Sequence, residues 1–400
     1  MNFSRSGSRG IAMLMVVVAI AILTTLGVEV AYQSRIDLQL AANQRSELQA
    51  EYQARGGVAL ARLILKFQRQ LDQMPAPAGL AGLLQQLGGG GAPAGGGAAP
   101  SFNLQLWRMA KIDCHLAEAL FPEEGTSEQS HRSGCFQVRL SDEEERLNLQ
   151  KMDGPANESG ATALRLLALL SDQRFDFLWN EAGYKADVTP NDAALAVRDW
   201  LDEDDTQARL NTSGAGEAFV SGFSAETAPY DRVEPRYRPK NARFDSLDEL
   251  HLVHGFGERV MAAFRDRITV FPDVNARLNV NTQDPMLLYL AILSVGDPLR
   301  PDNRLANPLF VDALIKQILD VRQLSFLGVS VADFVGLVEA SGITVDRTLK
   351  ASPANNRLLG DKSSTYRVLA KGEAGDVQKS LTAVFRLNDG LGQWVYFRED

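Results

Sequence analysis

Residues 9–28, RGIAMLMVVVAIAILTTLGV, carry no charge after Arg9. The apolar or small residues 11–28 would form a helix of about 27 Å, which is close to the thickness of the bilayer hydrocarbon. Arg5 and Arg9 precede the stretch and Glu29 follows it, so we predict a cytoplasmic N-terminus and an extracytoplasmic body. The next residues continue at helical spacing, where a secretory signal would have a small-x-small cleavage site. We therefore predict that the apolar helix is retained as a membrane anchor.

The composition predicts a globular body behind this anchor. The chain has 400 residues, of which 45% are hydrophobic, and this length allows two or three domains beyond the first helix. No second apolar run approaches the length of the first, so we predict a single membrane span. The formal net charge of -9 argues against a nucleic-acid partner, because binding to nucleic acid requires a basic face.

The apolar pattern changes twice after the span. Residues 29–72 place apolar side chains at helical intervals and predict a continuation of the first helix. Within them, the pair Gly56-Gly57 weakens a helix and predicts a bend. Residues 73–100 are rich in Gly, Ala and Pro and predict a flexible linker or insertion.

The remaining patterns predict one domain inserted into another. Residues 101–160 contain the strand-like segments SFNLQLW and GCFQVRLSD, and residues 346–400 end in three further strand-like segments. Residues 161–345 predict helices separated by short loops. We therefore predict an all-helical domain inserted into a sheet domain.

Motifs along the chain resemble a single family. The segment RGIAMLMVVVAIAIL resembles the signal of type IV pilins and pseudopilins. Further motifs are DEEERLNLQKM at 142–152, VRDWLDEDD at 197–205, NARFDSLDELHLVHGF at 241–256 and RLNVNTQDP at 277–285. In this order they resemble the K-type minor pseudopilins of the type II secretion system, and they are spread over nearly the whole chain outside the Gly-rich segment.

The resemblance implies a fold and a maturation step. The pseudopilin fold is an α+β fold in which a long N-terminal transmembrane helix packs on an antiparallel sheet. Prepilin peptidase would cut between Gly10 and Ile11, removing leader residues 1–10, and Ile11 would become the methylated N-terminus.

Most members carry a glutamate at the fifth mature position, where this chain has Met15. That carboxylate is thought to pair with a neighbouring subunit's amine inside the membrane, where an unpaired charge is costly. Met15 therefore fits a subunit at the tip, and it also fits a plain lipid-facing residue.

The resemblance also implies a location and partners. It implies a single-pass protein of the inner membrane with a periplasmic body, located at the pseudopilus tip. There it would form a complex with the I-type and J-type minor pseudopilins, cap the fibre and promote its assembly for protein export across the outer membrane. Other pseudopilins, the inner-membrane assembly platform, prepilin peptidase and secreted proteins are further implied partners. The alternative is a minor pilin or adhesin of a related type IV filament.

An acidic cluster follows the predicted helix that contains Trp200. Asp199, Asp202, Asp204 and Asp205 lie within seven residues, and such carboxylates are either solvated or neutralised by a cation. Their spacing does not match an EF-hand loop. The resemblance implies calcium, and we predict one site of structural importance, with a second left open. Its carboxylates would come from Asp202, Asp204 and Glu217, assisted by Asp205 or a backbone carbonyl; a solvated acidic helix end is the alternative.

Cys114 and Cys135 are the two cysteines of the chain. An extracytoplasmic compartment is oxidising, so we predict a disulfide between them. Free thiols are one alternative. A zinc site that adds His115 and His131 is the other, although adjacent ligands at 114 and 115 do not match the usual spacing.

The remaining motifs give no sign of catalysis. The chain lacks the G-x-S-x-G, H-E-x-x-H and P-loop patterns, and we predict that it is not an enzyme. The segment SLDELHLVHGFGERVMAAFRDRITVF resembles a helix-hairpin-helix, for which its acidic flank favours packing or protein contact over DNA binding. His251 and His254 are spaced to hold a metal, and a pair with one half-buried and one exposed histidine is the alternative.

Overall fold

The structure is a computed structural model that describes ten parts of the chain. These are residues 7–73, 105–109, 112–114, 135–180, 188–211, 217–297, 300–324, 328–353, 356–387 and 392–399. After Gln73, the predicted linker at 73–100 lies outside the described residues.

Helices dominate the middle of the chain and strands dominate its end. The α-helices are α1 (Gly7–Gln73), α2 (Leu106–Met109), α3 (Ala156–Leu170), α4 (Phe177–Asn180), α5 (Pro190–Leu201), α6 (Glu258–Phe264), α7 (Pro285–Val295), α8 (Pro308–Leu324), α9 (Val331–Ala340) and α10 (Arg347–Ala351). The strands are β1 (Cys135–Asp142), β2 (Leu147–Asn148), β3 (Thr206–Leu210), β4 (Phe219–Ala225), β5 (Ile268–Thr269), β6 (Leu278–Asn279), β7 (Leu359–Gly360), β8 (Thr365–Ala374), β9 (Val377–Arg386) and β10 (Gln393–Glu399). Short 3-10 helices cover Leu149–Asp153, Gln173–Phe175, Tyr230–Arg232, Leu247–Leu252 and Asn303–Ala306.

The first helix runs without interruption from the apolar stretch into the globular body. Its N-terminal part is long and apolar enough to cross a membrane, and the side chains of residues 11–28 are exposed. The helix continues through Gly56-Gly57, where the sequence predicts a bend. A Cβ on Gly57 would lie 2.7 Å from Val138 Cγ2 of β1, so this glycine permits close packing on the sheet. Tertiary packing thus outweighs the low helix propensity of the pair.

Four antiparallel strands form the sheet on which α1 packs. Their order is β1-β8-β9-β10, so the last three strands complete a sheet that begins before the inserted domain. The α1 face toward the sheet consists of buried small and apolar residues at intervals of three or four, namely Ala50, Ala54, Val58, Ala61 and Leu65. A Cβ on Gly372 of β8 would lie 1.9 Å from the Ala50 carbonyl oxygen. The helix and the strand therefore touch backbone to backbone.

The strand predictions are confirmed for β1, β8, β9 and β10 but not for SFNLQLW. That prediction is wrong at its C-terminal end, because Leu106–Met109 form a helix; residues 101–104 lie outside the described residues. The Leu106 N–H donates to Gln68 Oε1 of α1 at 2.7 Å, and Trp107 is buried against the Tyr366 ring. These contacts with α1 and the sheet outweigh the local alternation of apolar residues.

The inserted domain lies between β1 and β8 and has its own core. Helix α7 lies at the centre of that core, because its own apolar side chains occupy all sides of the helix and most of them are buried. Other fully buried residues of this core include Leu166, Val197, Phe264, Ile318 and Phe334. The domain differs from the predicted all-helical domain in one respect. Strands β3 and β4 form an antiparallel hairpin, and the pairs β2–β5 and β6–β7 are short and parallel.

Buried carboxylates of the DEEER segment join the sheet to the inserted domain. Glu143 accepts hydrogen bonds from Arg367 Nε of β8, at 2.5 Å, and from Thr269 Oγ1 of β5. Glu144 accepts one from the Ser364 N–H at 2.9 Å. Because a buried carboxylate is costly when it lacks partners, these bonds hold the segment in one position between the two domains.

Candidate metal centre

Three buried carboxylates meet where α5 ends beside the β3–β4 hairpin. One oxygen from each of Asp199, Asp202 and Glu226 lies within 4.8 Å of the other two. Asp199 and Asp202 are about one helical turn apart at the end of α5, and Glu226 directly follows β4. The helix end and the hairpin together define the centre.

The local sequence determines where α5 begins and ends. A capping box and Pro190 fix its start. At its end Asp202 adopts an extended conformation, while its N–H still donates to the Arg198 carbonyl at 3.0 Å. The chain then forms the hairpin and returns, so that the Glu226 N–H donates to the Asp205 carbonyl at 3.2 Å. The hairpin thereby brings Glu226 back to the helix end.

The carboxylate oxygens of this group outnumber the donors that reach them. Asp199 Oδ1 accepts from the Ala208 N–H at 2.7 Å, and Asp202 Oδ2 lies 3.0 Å from Arg198 Nε. Asp202 Oδ1 and both Glu226 carboxylate oxygens are buried without a hydrogen-bond partner among the described residues. Glu226 is only 2% exposed. Buried carboxylate oxygens without donors are costly unless a counter-charge is present, and these oxygens therefore indicate a cation.

Burial raises the pKa of all three carboxyl groups. Loss of hydration is the largest cause in each case, and it raises the pKa of Asp199 to about 7, of Asp202 to about 6 and of Glu226 to about 8. Repulsion between the neighbouring carboxylates raises these pKa values further. Ionising all three carboxyl groups together is therefore unfavourable unless a positive charge lies between them.

The donor set fits a hard divalent cation. Calcium prefers carboxylate and carbonyl oxygens and takes about six to eight of them. Asp199, Asp202 and Glu226 would hold the ion, and backbone carbonyls or water would complete its coordination. The ion would then join the end of α5 to the hairpin by neutralising carboxylates from both, which is a structural role.

Only one of the four predicted ligands belongs to this centre. Asp202 does, whereas Asp204, Asp205 and Glu217 have exposed side chains. Asp204 instead accepts hydrogen bonds from the Thr206 N–H and Oγ1 at 2.8 and 2.5 Å, and these bonds lower the pKa of its carboxyl group. Calcium binding by the predicted ligands stays a prediction.

Asp199 and Glu226 are the members of the centre that sequence reasoning left out. Asp199 lies in the acidic cluster one turn before Asp202, so the helical period could have identified it. Glu226 has no such local signal. Only the strand register, in which Thr206 of β3 lies opposite Ala225 of β4, brings it to the cluster.

The motif NARFDSLDELHLVHGF packs against the end of α5 and the acidic loop that follows it. Asn241 Nδ2 donates to the Asp204 carbonyl at 2.7 Å, and the Ala242 N–H donates to the Trp200 carbonyl at 3.2 Å. The Phe244 ring stacks on Trp200 with 6.3 Å between ring centroids. Two motifs that are distant in sequence therefore hold the acidic loop together.

The helix-hairpin-helix-like segment packs within the domain. Its first part is a 3-10 helix, Leu247–Leu252, and its second part is α6. His251 is exposed and His254 is half-buried, with the His254 N–H donating to Tyr230 Oη at 3.1 Å. This arrangement matches the alternative of one half-buried and one exposed histidine.

The structure joins Cys114 and Cys135 in a disulfide, with their Cα atoms 5.3 Å apart. The bond fastens the segment before Cys114 to the edge of the sheet, where the Val138 N–H of β1 donates to the Ile112 carbonyl at 2.8 Å. His115 and His131, which the zinc alternative requires, lie outside the described residues.

We expect the purified protein to contain no free thiol before reduction and two free thiols per chain after it. Reduction should lower the free energy of unfolding by about 3 kcal/mol, because it releases a loop constraint on the unfolded chain. Thiol counting under denaturing conditions, before and after reduction, measures the first effect, and urea titration measures the second. An unchanged thiol count would rule out the bridge.

Known proteins resemble this chain in sequence and in fold. The family model described as Type II secretion system (T2SS), protein K, matches residues 145–273, a range that contains the candidate metal centre. The predicted resemblance to type II secretion protein K is confirmed. Type II secretion system protein K of Aeromonas hydrophila is 26% identical over 192 residues, which are 48% of this chain and 48% of that protein. The chain thus spans about half the length of this relative.

A solved structure shares the overall fold. A chain from the GspK-GspI-GspJ complex of the enterotoxigenic Escherichia coli type 2 secretion system matches with a TM-score of 0.50 at 14% identity. The match covers 92% of this chain and 99% of that chain. The predicted α+β pseudopilin fold, with its long first helix on an antiparallel sheet and its large inserted domain, is therefore confirmed.

Proposed function

We propose that this protein is a minor pseudopilin at the tip of the type II secretion pseudopilus. It caps the fibre and promotes its assembly for protein export across the outer membrane. The observation that carries this proposal is helix α1, which has the length and apolarity of a membrane span at one end and packs on an antiparallel sheet at the other. Such a helix can hold the subunit in the inner membrane, with its body in the periplasm, until the fibre is assembled.

The inserted domain and Met15 support a position at the tip. The inserted domain comprises the chain between β1 and β8 and would obstruct another subunit stacked above it. Met15 lies in the exposed apolar part of α1 and offers no carboxylate to a subunit above. Both features suit a subunit whose neighbours lie only below.

The proposed partners are the I-type and J-type minor pseudopilins. A chain of the same fold comes from a GspK-GspI-GspJ complex, and this supports the choice. Other pseudopilins, the assembly platform and prepilin peptidase are further proposed partners, and secreted proteins would contact the tip. The proposed role is structural rather than enzymatic, with calcium at the carboxylates of Asp199, Asp202 and Glu226 stabilising the inserted domain.

We expect prepilin peptidase to remove residues 1–10 and leave a methylated Ile11. Intact mass and N-terminal sequencing of the membrane-extracted protein, with and without the co-expressed peptidase, measure this step. Gly10→Leu is the matched variant and should keep the leader. An intact Met1 in the presence of the peptidase would contradict maturation as a pseudopilin, and cleavage beyond Val28 would indicate an exported soluble protein.

Binding to the I-type and J-type subunits distinguishes this proposal from a minor pilin or adhesin. The full chain and both partners can be co-expressed, extracted in detergent and recovered through a tag on this chain. Recovery of a complex with one copy of each subunit is the expected result. Failure of the wild-type chain to bind either partner would favour the adhesin alternative.

A further inference from the structure

A pocket lies where the inserted domain meets the sheet, on the face of the sheet opposite α1. It has a volume of about 140 Å³. Leu369 of β8 lines it and lies between Val368 and Ala370, which pack with α1, so Leu369 points to the other face. Side chains of the 3-10 helix Leu247–Leu252 line the opposite wall. Both domains therefore build the pocket, and the junction between two domains is a common place for a ligand site.

Aromatic and aliphatic side chains form the apolar part of the pocket. Leu247 and Phe271 come from the inserted domain, and both are buried. Leu369 and Tyr396 come from the sheet. The centroids of the Phe271 and Tyr396 rings lie 5.5 Å apart. A cavity of about 150 Å³ accepts a benzene molecule, so this pocket has room for one aromatic ring or one branched aliphatic group.

The polar part of the pocket is mainly cationic. Among the described residues, its lining contains the carboxylate of Asp248 and three guanidinium groups, which belong to Arg265, Arg367 and Arg398. Asp248 Oδ1 accepts a hydrogen bond from Arg265 Nη2 at 2.8 Å. Asp248 Oδ2 accepts one from Arg398 Nη1. Two guanidinium groups of the lining thus share one carboxylate.

The third guanidinium group of the lining also shares its carboxylate. Arg367 Nε donates to Glu143 Oε1 at 2.5 Å, and the same oxygen accepts from Arg146 Nη1 at 2.8 Å. Together with the ion pairs of Asp248, these contacts join four guanidinium groups to two carboxylates, which is an excess of two positive charges. Such an excess favours a ligand that carries negative charge.

We propose that this pocket binds an apolar group that ends in a carboxylate, such as an aromatic acid or the C-terminal residue of a polypeptide. The apolar group lies beside the Phe271 and Tyr396 rings. The carboxylate lies at Arg265 and Arg398, because the N–H donors of arginine match its two oxygens. Thr382 lines the same pocket and adds a hydroxyl that can donate a hydrogen bond. Such a site does not depend on the proposed position of the subunit at the pseudopilus tip.

The two parts of the lining distinguish this ligand from simpler ones. A small inorganic anion would leave the apolar walls in contact with water. A purely apolar ligand would displace water from the guanidinium groups without replacing its hydrogen bonds. A ligand with both parts avoids both costs. It would also contact the inserted domain and the sheet together, and so hold the two domains against each other.

The first test compares three small molecules. Benzoate carries both parts of the proposed ligand, acetate lacks the ring, and benzyl alcohol lacks the charge. Each is titrated calorimetrically into the full-length protein in detergent at constant ionic strength. We expect benzoate to bind with a Kd of about 1 mM or below, and each of the other two to bind at least about tenfold more weakly. If benzoate does not bind, or if either control binds as tightly, the proposal is wrong.

Variants locate the site. Thr382→Phe places a ring in the pocket and should weaken benzoate binding by about tenfold or more. Ser380→Phe is the matched control, because Ser380 lies on the same strand and the same face but does not line the pocket, and it should bind as the wild type does. Arg265→Gln should weaken benzoate binding by about fivefold and leave benzyl alcohol binding unchanged. A Thr382→Phe variant that melts and binds as the wild type does would contradict the site. If that variant does not fold, the half-exposed Arg265 still tests it.

Peptides identify the source of the carboxylate. A short peptide that ends in phenylalanine is titrated with its C-terminus either free or amidated. The free peptide should bind, and the amidated peptide should bind at least about tenfold more weakly because it has lost the charge. A free peptide that binds more tightly than benzoate indicates the C-terminus of a polypeptide, and one that binds more weakly indicates a free carboxylic acid. Equal binding of the free and amidated peptides would show that the guanidinium groups do not recognise a carboxylate.

Discussion

Calcium is expected to raise the melting temperature of the purified protein by about 5 °C or more, and a chelator is expected to reverse the rise. An ion that binds only the folded state at about one hundred times its Kd adds about 2.7 kcal/mol to the free energy of unfolding. Each kcal/mol shifts the melting temperature of a domain of this size by about 2–4 °C. Thermal unfolding in calcium and in chelator measures the effect. An unchanged melt would count against a structural ion.

The calcium effect is expected to grow with pH. The pKa values of about 7, 6 and 8 for Asp199, Asp202 and Glu226 lie above the ordinary values of these carboxyl groups. Between about pH 4 and 8, the folded metal-free protein therefore binds more protons than the unfolded chain, and its free energy of unfolding falls as pH rises. Calcium requires the ionised carboxylates and removes their repulsion. The rise in melting temperature should consequently be larger at pH 8 than at pH 6.

Two glutamine variants distinguish the ligand sets. Glu226→Gln should abolish the calcium response and make the calcium-free protein more stable at pH 8, because it removes a buried charge that lacks donors. Glu217→Gln is the matched control, since Glu217 is an exposed carboxylate from the predicted ligand set. The opposite pattern, with the response lost only in Glu217→Gln, would favour the ligands chosen from sequence over those that the structure brings together.

The first helix and the sheet could be predicted because their signals are local. The uncharged run at 11–28 and the arginines before it indicate a membrane helix without reference to any other segment. Alternation of apolar residues in β1 and β8 reflects sheet strands with one face packed on α1. Such patterns report burial, and burial on one face of a long element can be recognised in the sequence.

The β3–β4 hairpin and Glu226 could not be predicted in this way. Most of β4 is exposed, so it has no apolar face to produce an alternating pattern. Glu226 reaches Asp199 only through the pairing of two strands that the sequence does not mark. The Gly56-Gly57 pair shows the same limit. Helix propensity is a property of the local sequence, whereas the packing of Gly57 depends on β1, which is distant in sequence.

Gly372→Ala is expected to destabilise the sheet domain by at least about 3 kcal/mol. Its Cβ would lie 1.9 Å from the Ala50 carbonyl oxygen and 2.5 Å from the Ala54 nitrogen. Both are backbone atoms of α1, so no side-chain rotation can relieve the overlap, and the whole helix must move away from β8. Typical overpacking costs about 1–3 kcal/mol when side chains can adjust, and this case exceeds that range. Urea titration of the full chain in detergent measures the loss.

Alanine substitutions at three glycines distinguish the cost of a backbone clash from the general effect of replacing a glycine on the free energy of unfolding. The three atoms nearest to a Cβ at Gly57 belong to side chains, with Val138 Cγ2 at 2.7 Å and Phe136 Cδ2 at 3.0 Å, so Gly57→Ala should cost about 1–2 kcal/mol. Gly56→Ala meets no atom of the described residues within 4 Å and should stabilise the isolated subunit by about 0.5–1 kcal/mol through helix propensity. A Gly372→Ala variant as stable as the wild type would show that α1 and β8 are not in backbone contact. The ordering of the three substitutions thus tests directly which face of α1 packs on its own sheet.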